Sequence, residues 1–166
     1  IERAVKSLRK NDASVTRAQW LQEAEAAEEA GAPVTSAAIV KHTIGQDVDD
    51  EDRQLTWSED AKSTLQRGAV ATARAIIAHT LEVFPKKRKL WMQAVELERS
   101  HGTRESLDKV LESACQQLPS TEIFWLLRAK ERWLTGDVDV AREILTEAFA
   151  ANPDSEEVWL AASKLE

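Results

Sequence analysis

Tyrosine is absent from this 166-residue chain, and cysteine and methionine occur once each. A single cysteine, Cys115, excludes an internal disulfide and is compatible with a reducing compartment. Glycine and proline are scarce, at five and four residues, and nearly all of them sit at regular intervals. That leaves little material for β-turns or long loops, so the chain is expected to be almost entirely helical. No apolar run approaches the ~20 residues needed to cross a bilayer, and no signal-peptide pattern opens the chain, so no membrane partner is expected. Positive charge is outweighed, 22 Lys and Arg against 29 Asp and Glu, for a net charge of −7. That balance disfavours direct RNA binding through the fold as a whole, because phosphate contacts need clustered cations. The opening residues, Ile1-Glu2-Arg3-Ala4-Val5-Lys6-Ser7-Leu8, read as the second half of a helix without an initiator Met. The expectation is a piece of a longer array.

Tryptophan, by contrast, is plentiful and periodic. Trp57, Trp91, Trp125 and Trp159 follow one another at 34 residues. Pro85, Pro119 and Pro153 each precede a Trp by six; Gly68, Gly102 and Gly136 each follow one by eleven, as Gly31 follows Trp20. A period of this size marks a stacked array of helical hairpins, in which one unit cannot bury its apolar face alone. Each unit is read as a Trp-bearing helix, a Gly in the left-handed conformation that closes it, a second helix, and a Pro that prevents the second helix from continuing. Thr103 and Asp137 are expected N-caps of second helices, and Asp154-Ser155-Glu156-Glu157 resembles an acidic capping box.

The second helices align on the same step. Ala73, Leu107 and Ala141 fall together, as do Ile76, Val110 and Ile144, then Ile77, Leu111 and Leu145. Thr80, Ala114 and Ala148 form a small column, and Leu81, Cys115 and Phe149 a larger one. Their spacing is the stripe of an amphipathic helix. Towards the N-terminus the register slips: Trp20 precedes Trp57 by 37 residues, and Ile39, Val40 and Thr43 match Ile76, Ile77 and Thr80 with that offset. The excess falls on the acidic connector from Gln46 to Asp52, and a second insertion lies around Lys10 to Ser14. The expected fold is an all-α, right-handed superhelical solenoid of antiparallel helix hairpins. Full hairpins span about 15–51, 52–85, 86–119 and 120–153, with half-hairpins at 1–14 and 154–166.

The period, the Pro six before Trp and the small residue late in the second helix are shared with tetratricopeptide repeats. Where those usually carry an aromatic, seven residues after the Trp, Glu98 and Glu166 stand, while Ala73-Arg74 and Ala141-Arg142-Glu143-Ile144 open second helices. This pattern resembles the HAT (half-a-tetratricopeptide) repeat, found chiefly in RNA-processing assemblies. Thr64 and Arg132 stand where that pattern has Glu, and Asp108 where it has Arg. Longer words are similar to the HAT array of a spliceosomal tri-snRNP scaffold: Glu51-Asp52-Arg53 with Thr56-Trp57, His101 to Leu107, Gly136-Asp137-Val138, and Asn152-Pro153 with Trp159 to Ala162. The resemblance implies a nuclear, non-enzymatic bridge between snRNP proteins in pre-mRNA splicing. The alternative is a generic tetratricopeptide-type peptide adaptor, for example one linked to chaperones, which needs a basic constellation across neighbouring units.

A residue needed by every unit serves the packing of every unit. Trp20, Trp57, Trp91, Trp125 and Trp159, with Pro85, Pro119, Pro153, Gly68, Gly102 and Gly136, are therefore expected to be the structural frame. Partner contacts are expected where the period fails. Trp133 is off the period, its counterparts being Glu28, Leu65 and Arg99. Lys86, Lys87, Arg88 and Lys89 place four cations at a helix start, against the macrodipole. Asp47, Asp49, Asp50, Glu51 and Asp52 make the connector acidic. The bland alternatives are that Trp133 covers a neighbouring hairpin and that both charge runs are simply solvated. Catalytic and metal sites are not expected, and neither is a cofactor. His42, His79 and His101 lack ligand spacing, Cys115 occupies a core column, and the glycines are single caps rather than a phosphate-cradling loop. Self-association through exposed apolar ends of the array is a further expectation.

Overall fold

The computed structural model describes Ser7 and residues 15–164; the expected half-hairpin at 1–14 otherwise lies outside the described residues. Among these every regular element is an α-helix: α1 (Arg17–Glu29), α2 (Pro33–Thr43), α3 (Arg53–Gln66), α4 (Val70–Val83), α5 (Arg88–His101), α6 (Arg104–Gln117), α7 (Glu122–Leu134), α8 (Val138–Ala151) and α9 (Glu156–Ser163). The chain divides into two compact units between Pro85 and Lys86, α1–α4 in the first and α5–α9 in the second. In the first, α1 pairs with α2, α3 pairs with α4, and α4 also packs on α2. In the second, α5 pairs with α6, α6 packs on α7, α7 pairs with α8, and α9 packs on α8.

Local chemistry explains the boundaries. Gly31, Gly68 and Gly136 have φ of 76°, 90° and 87°, a region that an L side chain enters only with strain. Each closes its helix in the same way: the residue after the Gly donates its N–H back five residues, Ala32 to Ala27, Ala69 to Thr64 and Asp137 to Arg132. This is the Schellman closure of a helix C-terminus. Gly102 departs from the expected pattern, with φ at −98°. Close approach requires glycine there, since a Cβ would collide with the Glu98 carboxylate and lie 2.7 Å from the Glu98 carbonyl oxygen. The prolines stand two residues beyond α4, α6 and α8. The residues before them, Phe84, Leu118 and Asn152, have left the helical region with φ of −124°, −131° and −137°, because Pro Cδ crowds a helical predecessor.

At the helix starts, Thr103 caps α6 in a reciprocal box with Ser106, and Ser155 accepts from Val158 N–H to cap α9. Asp137 occupies the N-cap position of α8 without a side-chain cap bond. Its carboxylate is drawn instead to the Thr135 hydroxyl at 3.1 Å and the Arg132 guanidinium at 3.5 Å.

Most positions of the aligned columns form the core, but Phe149 is exposed and Val110 and Leu81 are half-buried. Ala73, Ile76, Ile77 and Thr80 are buried in the first unit; Leu107, Leu111, Ala114, Cys115, Ala141, Ile144, Leu145 and Ala148 are buried in the second. Burial pushes the Cys115 thiol up to about 12, so it is a small apolar filler rather than a nucleophile. Thr43 and Thr80 reconcile their hydroxyls with burial by donating to the carbonyls four residues back, Ile39 and Ile76.

Candidate interaction surfaces

Trp57, Trp91 and Trp125 are buried. The Trp57 indole N–H donates to the Ile44 carbonyl at 2.8 Å, and that of Trp125 to the Pro119 carbonyl at 2.9 Å. Each indole thus ties its own hairpin to the end of the preceding one. Pro119 lies six residues before Trp125, so this bond gives the Pro-to-Trp spacing a physical cause. Two ladder residues depart from the expected core. Trp20 is only partly buried, and Trp159 is 59% exposed. In the complete hairpin α3–α4 the second helix covers the Trp; among the described residues α9 has no second helix, and Trp159 meets Phe149 edge-on with ring centroids 4.9 Å apart.

Polar side chains reach from hairpin to hairpin, which the sequence reading missed because the partners lie 20 to 44 residues apart. Glu28, near the end of α1, accepts from the Ala71 N–H, the Thr72 N–H and the Thr72 hydroxyl at 2.7–2.8 Å, and so caps the first turn of α4. Burial pushes the Glu28 carboxyl up, but those hydrogen bonds and the Arg74 charge outweigh it, and its pKa lies below the ordinary 4.5. Arg67 makes a forked contact with Glu25, and Arg17 pairs with Asp60 at 2.7 Å.

In the second unit Asp108 of α6 receives Arg128 at 3.2 Å and Arg132 at 2.6 Å from α7. Burial raises the Asp108 carboxyl, yet the two guanidinium groups prevail and hold its pKa below 3.8. Asp108 and Arg132 are two of the departures from the HAT pattern, opposite in sign and in contact. That complementary pair of departures was a signal available in the sequence. Asp108→Ala is expected to destabilise the second unit by about 1–2 kcal/mol, because it strips two part-buried cations of a shared partner. Arg132→Ala is expected to stay within about 1 kcal/mol, since Arg128 keeps Asp108 paired. Urea titrations of the two variants check the order.

Trp133 is 52% exposed on α7. Its counterparts are engaged elsewhere: Glu28 in the cap just described, and Arg99 at 3.8 Å from Glu131. Trp133 instead lines a hollow of about 410 Å³ with Leu126, Ala129, Leu145, Leu160 and Ala161, flanked by Lys130, Lys164 and Glu157. The basic run lies at the start of α5, all four residues exposed. Lys86 is the exception to simple solvation: its Nζ donates to the Gln117 carbonyl at 2.7 Å. It thereby satisfies the C-terminus of α6, where a cation is favoured. The acidic connector is wound into turns, with Asp47 at φ 54° and the Asp49 carbonyl accepting from the Asp52 and Arg53 N–H groups. Asp47, Asp49, Asp50, Glu51 and Asp52 are exposed, and Asp50 pairs with Arg53 at 2.7 Å.

Among the described residues no three His, Cys, Asp or Glu side chains converge as metal ligands, and no helix is long and apolar enough to cross a membrane. His79 lies against Trp57 with ring centroids 5.2 Å apart, and burial lowers its pKa below 6.5; it is a packing residue.

Residues 123–165 match the tetratricopeptide repeat family. The chain is 46% identical over 114 residues to the Schizosaccharomyces pombe protein Pre-mRNA-splicing factor prp1, covering 69% of the chain and 13% of that protein. It is 49% identical over 94 residues to the human Pre-mRNA-processing factor 6, covering 57% of the chain and 10% of that protein. The chain therefore spans only about an eighth or less of these relatives' lengths. A solved tetratricopeptide repeat protein from Parabacteroides merdae covers 90% of the chain, and the chain covers 59% of it, with a TM-score of 0.54 at 12% identity, a likeness of fold alone. The chain is an all-α segment of the tetratricopeptide-type repeat class, and its sequence resembles the HAT array of the Pre-mRNA-processing factor 6 proteins.

Proposed function

We propose that this segment is a non-enzymatic scaffold for protein–protein interactions in pre-mRNA splicing, acting in the nucleus to bridge snRNP proteins during tri-snRNP assembly. The observation that carries the reading is the 46% identity to a splicing factor over 114 residues, in a segment built as helical hairpins. The mechanism is geometric. Within each unit paired helices hold exposed patches in place, and joining several weak contacts raises avidity without chemistry. Trp133, the Lys86–Lys89 run and the Asp47–Asp52 connector are the patches assigned to partners, because the repeated packing does not dictate them.

Affinity capture from nuclear extract tests this. The wild-type segment is expected to retain splicing proteins above a scrambled-surface control, and Trp133→Ala to reduce their recovery at least threefold with an unchanged far-UV circular dichroism spectrum. Recovery at control level by the wild type would overturn the scaffold reading. Undiminished recovery by Trp133→Ala would remove this residue from the interface.

A further inference from the structure

In the second unit α6, α7, α8 and α9 each carry a carboxylate in the first turn: Glu105, Glu122, Asp139, and Glu156 with Glu157. The first turn of α5 has none. Lys87 is its extended N-cap, without a side-chain cap bond, and Arg88 and Lys89 are its first two helical positions. The repeat does not ask for cations here. Thr121 and Ser155 stand at the position of Lys87, and Glu122 and Glu156 at that of Arg88. Three positive charges therefore crowd one helix start, where the macrodipole disfavours them.

The fold makes no use of these three charges. Arg17, Arg53, Arg67, Arg128 and Arg132 each pair with a carboxylate. Among the described residues no carboxylate pairs with Lys87, Arg88 or Lys89, although the chain holds 29 Asp and Glu against 22 Lys and Arg. All three are exposed. Lys86 differs, because its bond to the Gln117 carbonyl ties the base of the run to the end of α6.

Building on the scaffold reading above, we propose that Lys87, Arg88 and Lys89 seat a carboxylate-rich segment of a partner protein. Arg88 offers a planar fork to one carboxylate, and the two ammonium groups beside it act as point charges on its neighbours. Complementary charge of this kind selects the partner and speeds encounter. A nucleic acid fits the patch less well. Its recognition tracks the backbone over several nucleotides and uses aromatic side chains as stacking platforms. The exposed Trp133, Phe149 and Trp159 lie on α7, α8 and α9, whereas Trp91, the one Trp or Phe of α5, is buried. The acid excess of the rest of the chain also repels a polyphosphate.

The 166-residue chain is titrated at low salt against a fluorescently labelled oligoglutamate of about eight residues. Saturable binding is expected, weakening several-fold as ionic strength rises. The triple variant Lys87→Glu, Arg88→Glu, Lys89→Glu should bind at least tenfold more weakly. Its far-UV circular dichroism and urea midpoint should not fall, since acids at a helix start are favoured. Lys41→Glu, Lys130→Glu, Lys164→Glu makes the same change in net charge at exposed lysines elsewhere, and is expected to stay within twofold of wild type. Absence of saturable binding, or equal loss in the two triple variants, would overturn the proposal. Tighter binding of an oligouridylate of equal charge would assign the patch to RNA and overturn it too. Sedimentation revealing self-association that the Lys87–Lys89 reversal abolishes would assign it to a second copy, with the same consequence. Oligoglutamate failing to bind while nuclear extract still yields splicing proteins would sink this inference and spare the scaffold reading; binding without that recovery would do the reverse.

Discussion

Trp57→Ala is expected to destabilise the first unit by about 3–5 kcal/mol, the cost of a large side chain deleted from a packed interior. Three losses combine at this site. The indole is 2% exposed, it packs against His79 and Phe84, and its N–H satisfies the Ile44 carbonyl. Removing it leaves a cavity and an unpaired buried acceptor together. In an array whose units are held by their neighbours, the α1–α2 pair should also loosen from α3–α4. Trp159→Ala, at the same repeat position but 59% exposed, is expected to cost less than about 1 kcal/mol. Urea unfolding followed by far-UV circular dichroism compares them directly. Equal midpoints for the two variants would contradict the packing described.

The second large effect is expected at Glu28. Glu28→Gln should cost about 1.5–3 kcal/mol at neutral pH, since three donors on α4 lose a charged acceptor. The pH dependence follows from the direction of its shift. A carboxyl held below 4.5 in the folded state binds its proton less readily there than in the unfolded chain. Its contribution is therefore complete above the unfolded value and is lost as pH falls through the lower, folded one. Asp108, held below 3.8, behaves in the same sense. The gap in stability between wild type and Glu28→Gln should consequently be widest near neutrality and close as pH falls below the ordinary carboxylate range. A gap that does not vary between pH 7 and pH 3 would mean that Glu28 acts through packing rather than charge.

Much of the fold is legible in the sequence because a repeat averages its own noise. Four units agree on where Trp and Gly stand and three boundaries on Pro, and the second-helix columns recover buried positions from Ala73 to Ala148. What escapes is what the repeat does not share. Gly102 obeys the spacing for a different reason, close approach of the Glu98 carbonyl, which only coordinates reveal. Asp137 looks like a cap, but Arg132 and Thr135 compete for its carboxylate. Trp159 keeps the ladder position without the covering helix that makes that position a core.

The candidate surfaces were only partly legible. Lys86 to Lys89 opposes the dipole of its own helix, and on that ground alone suggests an external anion. The structure supplies an internal reason for Lys86, the C-terminus of α6, and leaves Lys87, Arg88 and Lys89 exposed. Trp133 was conspicuous by its counterparts, and Glu28 was hidden by the same comparison. A column holding Glu, Leu, Arg and Trp reads as unconstrained, yet one member carries three hydrogen bonds across 43 and 44 residues. Variation at a repeat position is therefore compatible with a precise role in one unit.

The buried periodic tryptophans, Trp57, Trp91 and Trp125, frame the hairpins, and contact is left to residues outside that frame. Hydrogen exchange of the six indole N–H groups, resolved by ¹⁵N-correlated NMR, tests it most directly. Trp57 and Trp125, whose N–H groups are bonded to carbonyls at 2.8 and 2.9 Å, are expected to exchange at least a hundredfold more slowly than Trp133 and Trp159. Comparable protection of Trp133 and Trp57 would contradict the account, because it would place the off-period residue inside the frame.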